Sequence, residues 1–525
     1  MTKKDLIKIN DYLWEIPKSF RADMRVPARF YTSEKMLEDV LKDRSLEQLV
    51  NLCALPGIVK YGLAMPDIHE GYASPIGGVA AISAEDGIIS PGMCGYDINC
   101  GMKLLRSEQT ENEIRPHLEK LAGEIQKEVP SGLGRGRRVK LGISSLDKIL
   151  ESGARQVVEQ GYGEKEDVEN CESGGRLDWA DASAVSGAAK QRGRDQVGTL
   201  GSGNHFLEIQ KVDEIFDEKA SEAFGLFEKQ VVIMIHCGSR GLGHQVATDY
   251  IREFLPLMMQ KYKNLFVPRN TAGDSQKPDS RFARNRIRVP DQEFACVPFG
   301  SPEGQRYFAA MAASANYAWA NRQTIAHFVR QAWKNVLGSS TGSGFKVVYD
   351  VAHNIIKTED YRLPIKDYGK DDGFDGKRAV SDSRSTVVKL AVHRKGATRA
   401  FPLGHPEVPE KYRNIGQPVL IPGSMGTASY VLRGAAEAEQ SFYSTCHGAG
   451  RTMSRHQAMR TVSGEEVIRE LQKKGIIVKC YSRRGIAEEA PLAYKNIDSV
   501  VEVVHRAGLS KKVARLVPLA VIKGE

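Results

Sequence analysis

Side chains of the metal-ligating types recur on Gly-rich segments far apart in the chain: Asp97 and Cys100, Asn204 and His205, His236, then His353 and Asn354. This spread is the strongest constraint on the fold, because such side chains act together only if the intervening chain brings their segments to one place. One Cys, one Asp and several His suit a borderline divalent ion, since thiolate and imidazole select transition metals over Mg²⁺. A thiolate can bridge two ions while a carboxylate and imidazoles complete each sphere and leave positions open for phosphate oxygens. Taken singly, a His or Cys reads as a core residue, and Cys94, Cys237 and Cys446 fit that description. Five ligand-type residues in similar strand-to-loop contexts, each beside Gly or Asn, point instead to a shared site.

His447 is of another kind. It lies in Ser-Thr-Cys-His-Gly-Ala-Gly-Arg (444–451), where Gly448 and Gly450 would present backbone N–H groups to an anion and Arg451 adds charge. Such an imidazole can attack a phosphorus centre and form a phosphoramidate, dividing one difficult transfer into two. It can also serve only to hydrogen-bond substrate. Asp67 and His69, in Met-Pro-Asp-Ile-His-Glu-Gly, supply a candidate base or a further ligand. Other phosphate-binding candidates are Arg240 in Gly-Ser-Arg-Gly-Leu-Gly, Arg394 and Lys395 in His-Arg-Lys-Gly-Ala-Thr-Arg, and the turn from Pro422 to Ser429. Neither a Walker loop nor a Lys-centred nucleotidyl-transfer motif is present, which throws weight onto His447.

The chain has 525 residues, 41% of them hydrophobic, enough for a substantial core. Its 50 glycines exceed the usual share of about 7% and cluster beside the His and Cys positions, as active-site loops require. The eight cysteines show no disulfide spacing, the N-terminus lacks an apolar leader, and no run reaches the roughly 18 apolar residues of a membrane span. A reducing, cytoplasmic protein with no membrane association is expected. The net charge of +9 fits a polyanionic partner or a merely solvated basic surface. Basic clusters stand at Arg135, Arg137 and Arg138, at Arg192 and Arg194, and at Arg281, Arg284, Arg286 and Arg288.

Residues 1–60 read as an amphipathic start with a polar helix around 33–53. Short apolar runs between Gly and Pro from 58 to 106 predict strands and tight loops, with Asp97 and Cys100 on a loop after a strand. A helix is predicted over 109–129, a Gly/Arg loop over 131–138, and a polar Gly-rich stretch over 165–200. The β-branched run Val231 to Ile235 ends at His236, and Lys346 to Val351 ends near His353, so rigid sheet can aim both rings into a shared cavity. Between them Ser301-Pro302 opens the clearest helix and Gly338 ends it. Ser463 with Glu466 opens another, closed by Gly475 and followed by a strand at 476–478. Residues 358–386 look like a surface insertion, with Arg384 a possible exception. Helices and strands in irregular order favour an α+β fold on mixed or antiparallel sheets, with 1–525 as one catalytic domain.

The segments Met65-Pro-Asp-Ile-His-Glu-Gly-Tyr, Gly95-Tyr-Asp-Ile-Asn-Cys-Gly, Gly201-Ser-Gly-Asn-His-Phe-Leu-Glu, His236-Cys-Gly-Ser-Arg-Gly, Asp350-Val-Ala-His-Asn, His393-Arg-Lys-Gly-Ala-Thr-Arg, Gly423-Ser-Met-Gly-Thr and Cys446-His-Gly-Ala-Gly-Arg closely resemble the RtcB family of RNA-splicing ligases, from about residue 20 to the C-terminus. The resemblance implies GTP-dependent joining of RNA 3′-phosphate or 2′,3′-cyclic phosphate ends to 5′-hydroxyl ends with two Mn²⁺ ions, in tRNA splicing or RNA repair. It implies that Cys100 bridges the ions, with Asp97 and His205 on one and His236 and His353 on the other. His447 would be guanylylated, and the nucleotide would meet Asn204, Glu208, His353, Asn354, Ser429, Gly448, Ala449, Gly450, Tyr494 and Lys523. Arg192, Arg240, Lys395 and Arg455 would contact RNA, and an archease-type protein would be a possible activator. Cys94 departs from the expected pattern and could make the site more oxidation-prone. A two-metal RNA phosphodiesterase or end-phosphatase using water, and a non-catalytic RNA-binding scaffold, stand as alternatives.

Overall fold

Two large sheets organise the protein, whose computed structural model describes residues 1–132, 138–263, 291–338, 345–364 and 385–524. The first has seven strands in the order Ile7–Lys8, Leu13–Ile16, Ala28–Tyr31, Gly62–His69, Ile76–Ser83, Ser385–Lys395 and Asn354–Pro364. Only the Ala28–Tyr31 and Gly62–His69 pair in it is parallel. The second runs Lys346–Ala352, Gly101–Thr110, Gln230–Cys237, Phe206–Ile215, Ser510–Lys523, Ser429–Gly434 and Pro418–Ile421. Ile477–Cys480 adds to it alongside Ser510–Lys523 in parallel. Mixed sheets flanked by helices make this an α+β fold, as the sequence indicates.

The strand Gln230–Cys237 explains its own composition. All its residues are buried. Val231, Ile233 and Ile235 pack with Ile325, Val329 and Trp333 of the helix Pro302–Leu337, while Val232 and Met234 enter a second core with Met102, Leu104 and Tyr349. A strand covered on both faces needs an unbroken apolar run, not alternation. The helix beneath begins where Ser301 Oγ accepts the Gly304 N–H at 3.1 Å, with Pro302 in its first turn, and ends at Gly338. It is buried all round from Ala310 to Ala326, so every polar group there must find a partner.

Arg322 shows how that requirement is met. Its Nε and Nη2 donate to Asp350 at 2.9 and 2.7 Å, and its Nη1 donates to the carbonyls of Asn99 and Cys237 at 2.7 and 2.8 Å. One guanidinium thus joins the segments that carry Cys100, His236 and His353. Asn99 adopts a left-handed φ of 52°, which Asn tolerates, and its side chain is pinned by Arg322 and by the Ala315 carbonyl. The neighbouring Asn321 accepts the N–H groups of Gly198 and Thr199 and donates to the Cys237 thiol and the Gly238 carbonyl.

Several expectations change. The helix around 33–53 is two helices, Glu34–Val40 and Ser45–Leu52, separated by a turn. The 109–129 stretch is helical as predicted but in pieces, chiefly Glu111–Ile114 and Leu118–Glu128. The ends of the 358–386 segment lie in the paired strands Asn354–Pro364 and Ser385–Lys395, while 365–384, Arg384 included, lies outside the described residues. Arg135, Arg137, Arg281, Arg284, Arg286 and Arg288 also lie outside them. Arg240 of Gly-Ser-Arg-Gly-Leu-Gly opens the helix Arg240–Gln260. Among the described residues no helix is long and apolar enough to cross a membrane.

Replacing Arg322 with Met leaves Asp350 and two carbonyls buried without their main donor, which is expected to cost about 3–5 kcal/mol. The apparent urea midpoint of Arg322→Met should therefore fall, and the double variant Arg322→Met/Asp350→Asn should lose less than the two single losses combined. Strict additivity would contradict the coupling.

Candidate active site

Antiparallel pairing sets the residue that ends one strand beside the residue that opens its neighbour. Ala352 pairs with Gly101, Gly101 with Cys237, Met102 and Phe206 with His236, and Phe206 with Lys523. His353, Cys100, His236, His205 and Lys523 are consequently delivered to one end of the second sheet. Asp97 and Cys100 sit on a loop as expected, in the turn that leads into Gly101–Thr110.

His353 is also where the chain crosses between the sheets, since it separates Lys346–Ala352 from Asn354–Pro364. Its N–H donates to the Cys100 carbonyl at 2.9 Å, and its own carbonyl accepts from Ala397 at 3.1 Å. Ala397 pairs with Cys446, so the next residue, His447, is carried to the ligand cluster.

Cys100 Sγ lies 3.2 Å from His236 Nε2 and 3.4 Å from His205 Nε2. His236 Nε2 is 3.3 Å from His353 Nε2, and His205 Nε2 is 2.8 Å from Asp97 Oδ2. Two groups follow, Asp97 with Cys100 and His205, and Cys100 with His236 and His353, each with donor atoms within 4.8 Å of one another. Cys100 is common to both. Thiolate, imidazole and carboxylate donors at this spacing suit a pair of borderline divalent cations. Gly238 is required here, because a Cβ on it would stand 2.3 Å from the Asp97 carboxylate.

Electrostatics separates these candidate ligands into two kinds. Burial, then the charge of neighbouring imidazoles, lowers His236 and His353 well below the ordinary range, so both rings are neutral and ready to donate a lone pair. Burial opposes a charge on His205 too, but Cys237, Asp97 and Cys100 outweigh it and raise this ring well above its usual value. Burial, with the Asp97 charge, pushes the Cys100 thiol up to about 12.

His447 has a different environment. Its Nδ1 lies 2.5 Å from Asp67 Oδ2, which also accepts the backbone N–H groups of His447 at 2.9 Å and Gly448 at 3.3 Å. Burial works against the Asp67 charge, yet His447 and these hydrogen bonds hold its carboxyl below the ordinary range. A carboxylate facing Nδ1 favours the tautomer with its proton on that nitrogen, so that the neutral ring carries its lone pair on Nε2. The His447 ring is centred 5.1 Å from that of His353 and 6.3 Å from that of His69. Gly450, at φ 73°, packs where a Cβ would meet the Asp67 carbonyl at 2.3 Å, which lets the 447–451 loop lie against Asp67. Asp67 is thus gathered to the imidazole and not to either ligand group.

These residues open onto a cleft of about 850 Å³. Asn204, Asn354, Gly448, Ala449, Gly450, Tyr494 and Lys523 line it, as do Arg192, Arg240, Lys395 and Arg455. Glu208 and Ser429 stand behind the wall, bridged by Gln210 at 2.7 and 3.0 Å, and burial pushes the Glu208 carboxyl up to about 8. Asn354 braces the site, donating to the Asp97 carbonyl at 3.0 Å and accepting from Gly396 at 2.8 Å. Lys395 donates to the carbonyls of Tyr72, Ser74 and Gly92, which occupies all three of its N–H bonds. Arg240 donates to the Gly132 carbonyl at 2.7 Å. Arg192 is exposed. Cys94 is fully buried and burial pushes its thiol up to about 12, which favours the core reading over an oxidation-prone thiol.

Sequence reasoning missed Glu489. It lines the cleft and accepts from Arg451 at 3.0 Å, from Arg455 at 3.2 Å and from the Tyr494 hydroxyl. No Gly-rich motif surrounds it, so spacing carried no signal.

Fold and cleft together define an α+β protein in which two overlapping groups of candidate metal ligands adjoin a carboxylate-braced imidazole. The sequence model of the family described as tRNA-splicing ligase RtcB matches residues 48–524. A protein named tRNA-splicing ligase RtcB from Thermococcus kodakarensis is 50% identical over 521 residues, covering 99% of each chain, and one of the same name from Archaeoglobus fulgidus matches equally. An RNA-splicing ligase RtcB from Mycobacterium tuberculosis is 46% identical over 480 residues, 91% of this chain and 100% of that one. The chain belongs to the RtcB family.

Cys100 and His205 both hold protons at neutral pH when no cation is bound, because their values are raised. A cation must displace them, so apparent affinity for a Mn²⁺ probe is expected to rise with pH, by about tenfold per unit for each proton released. Calorimetry in buffers of different ionisation heat reads that release directly; pH-independent binding without proton release would contradict the assignment.

Proposed function

We propose that the protein is a GTP-dependent RNA ligase that joins a 3′-phosphate or 2′,3′-cyclic phosphate end to a 5′-hydroxyl end through a guanylylated His447. The observation that carries this reading is the Asp67–His447 pair beside His353, in which the carboxylate meets Nδ1 and so favours the tautomer with its lone pair on Nε2. Two Mn²⁺ ions, held by Asp97, Cys100 and His205 and by Cys100, His236 and His353, would neutralise charge on phosphate oxygens.

His447 Nε2 attacks the α-phosphorus of GTP, a P–N bond forms, and pyrophosphate leaves with the electrons of the broken P–O bond. Asp67 stabilises the positive ring that results, as carboxylate-braced imidazoles do elsewhere. An oxygen of the RNA 3′-phosphate then takes the guanylate from nitrogen, restoring the neutral ring. The 5′-hydroxyl oxygen attacks the 3′-phosphorus in line, loses its proton, and expels GMP. A cyclic end is first opened by water to the 3′-phosphate.

Tyr494 and Lys523 line the guanine-binding side with Glu208 and Ser429 buried behind it, and Asn204, Asn354 and the 448–450 backbone lie near the nucleotide phosphates. Burial of Glu208 supports base selection, because a buried carboxyl group left unmatched by adenine is penalised. Arg192 and Arg240 face the RNA from the cleft wall; Arg455 reaches the same cleft from Glu489.

Incubation with Mn²⁺ and GTP labelled at the α-phosphate is expected to give an acid-labile, base-stable protein adduct. His447→Ala should abolish it, and Asp67→Asn, which disturbs the tautomer, should slow its formation roughly 10²- to 10⁴-fold. RNA ends cleaved by water without any adduct would favour the phosphodiesterase reading instead.

A further inference from the structure

One wall of the cleft is aromatic where it passes Asp97. Tyr96 precedes that residue, and its ring is centred 6.0 Å from the His244 imidazole with 19° between the planes. Tyr72 meets Tyr96 edge-on at 6.3 Å and 88°. All three rings line the cleft. The Tyr96 hydroxyl donates to Glu293 at 2.9 Å, which fixes the middle ring. His244 is exposed, one turn into the helix Arg240–Gln260, and Tyr72 is 63% exposed.

These rings serve neither the core nor the chemistry described above. Neither tyrosine joins a hydrophobic core cluster among the described residues, and none of the three rings supplies a cation-ligand atom or touches His447's partner Asp67. Burying an aromatic ring is favourable, so one left in the open at the mouth of a polar cleft calls for a ligand with a flat face. Arg192 and Arg240 line the same cleft. Rings interleaved with guanidinium groups are the means by which proteins hold single-stranded nucleic acid, the cations tracking the backbone and the rings stacking bases of any identity.

Resting on the ligase reading, we propose that Tyr72, Tyr96 and His244 form a stacking platform for an unpaired nucleobase at the RNA end being joined. Tyr72 and His244 are the accessible rings, and Tyr96 holds them in place next to Asp97. A base stacked there keeps its own phosphate close to the ligand cluster. Bases already stacked and paired in a blunt duplex cannot take the position, so the platform selects RNA with unpaired ends and does so without reading sequence.

The test uses the full-length, Mn²⁺-loaded protein and RNA carrying 2-aminopurine as its unpaired terminal base. Binding should quench the fluorophore, as stacking on a ring does. Tyr72→Ala should abolish the quench and weaken RNA binding roughly 5- to 150-fold, whereas Tyr72→Phe, which keeps the ring, should retain both. Removing the terminal base to leave an abasic sugar should weaken binding to the unsubstituted protein similarly and bring it level with Tyr72→Ala. Tight binding without quench, or equal binding by Tyr72→Ala when the base is present, would overturn the platform. Both readouts are of binding alone, so a missing guanylate adduct would sink the ligase reading and leave this result to be judged separately.

Discussion

Arg322 binds Asp350 through two nitrogens and the carbonyls of Asn99 and Cys237 through a third, so one buried cation fixes the relative positions of three chain segments. The residues next to those contacts are Cys100 after Asn99, His236 before Cys237, and His353 three positions beyond Asp350. An apolar replacement of this ion pair could be as stable, since desolvating two charges is expensive. It could not, however, hold two backbone carbonyls at fixed angles. Ligand atoms that must meet within a few tenths of an ångström need such a brace, and rigid sheet ends alone do not supply it.

The second sheet and the first meet at His353, and the consequence reaches His447. Through Ala397 and its pairing with Cys446, the segment that carries the nucleophilic-type imidazole is tied to the backbone of a candidate metal ligand. Asp67 arrives from the strand Gly62–His69 of the first sheet and supplies the partner for Nδ1. The second sheet therefore ends at the candidate cation ligands, the first contributes Asp67, and the short pair Ala397–Arg399 with Ser444–Cys446 carries His447 to them. The candidate cation ligands and His447 line the same cleft.

Much of this was legible in the sequence, for identifiable reasons. The helix from Ser301-Pro302 to Gly338 carried its own start and stop signals, and the β-branched run before His236 read as a strand, which the structure buries on both faces. Gly-rich contexts flagged Asp97, Cys100, His205, His236 and His447, and a strand end beside Asn354 flagged His353. The helix Arg240–Gln260 was hidden by Gly238, Gly241, Gly243 and Pro256, which argue against helix; tertiary packing through Leu242, Val246 and Phe254 overrides that local preference. Lys395 looked like a free cation because sequence cannot show three carbonyls converging on its amine. Arg322 and Glu489 gave no signal, because their importance lies in partners distant along the chain.

The central claim is that the strand order and the Arg322 brace assemble two cation positions sharing the Cys100 sulfur. Anomalous diffraction at the manganese edge from crystals grown with Mn²⁺ tests it most directly. The account predicts two peaks flanking Cys100 Sγ, one beside Asp97 and His205 and the other beside His236 and His353. A single peak elsewhere in the cleft, or none at saturating Mn²⁺, would contradict it.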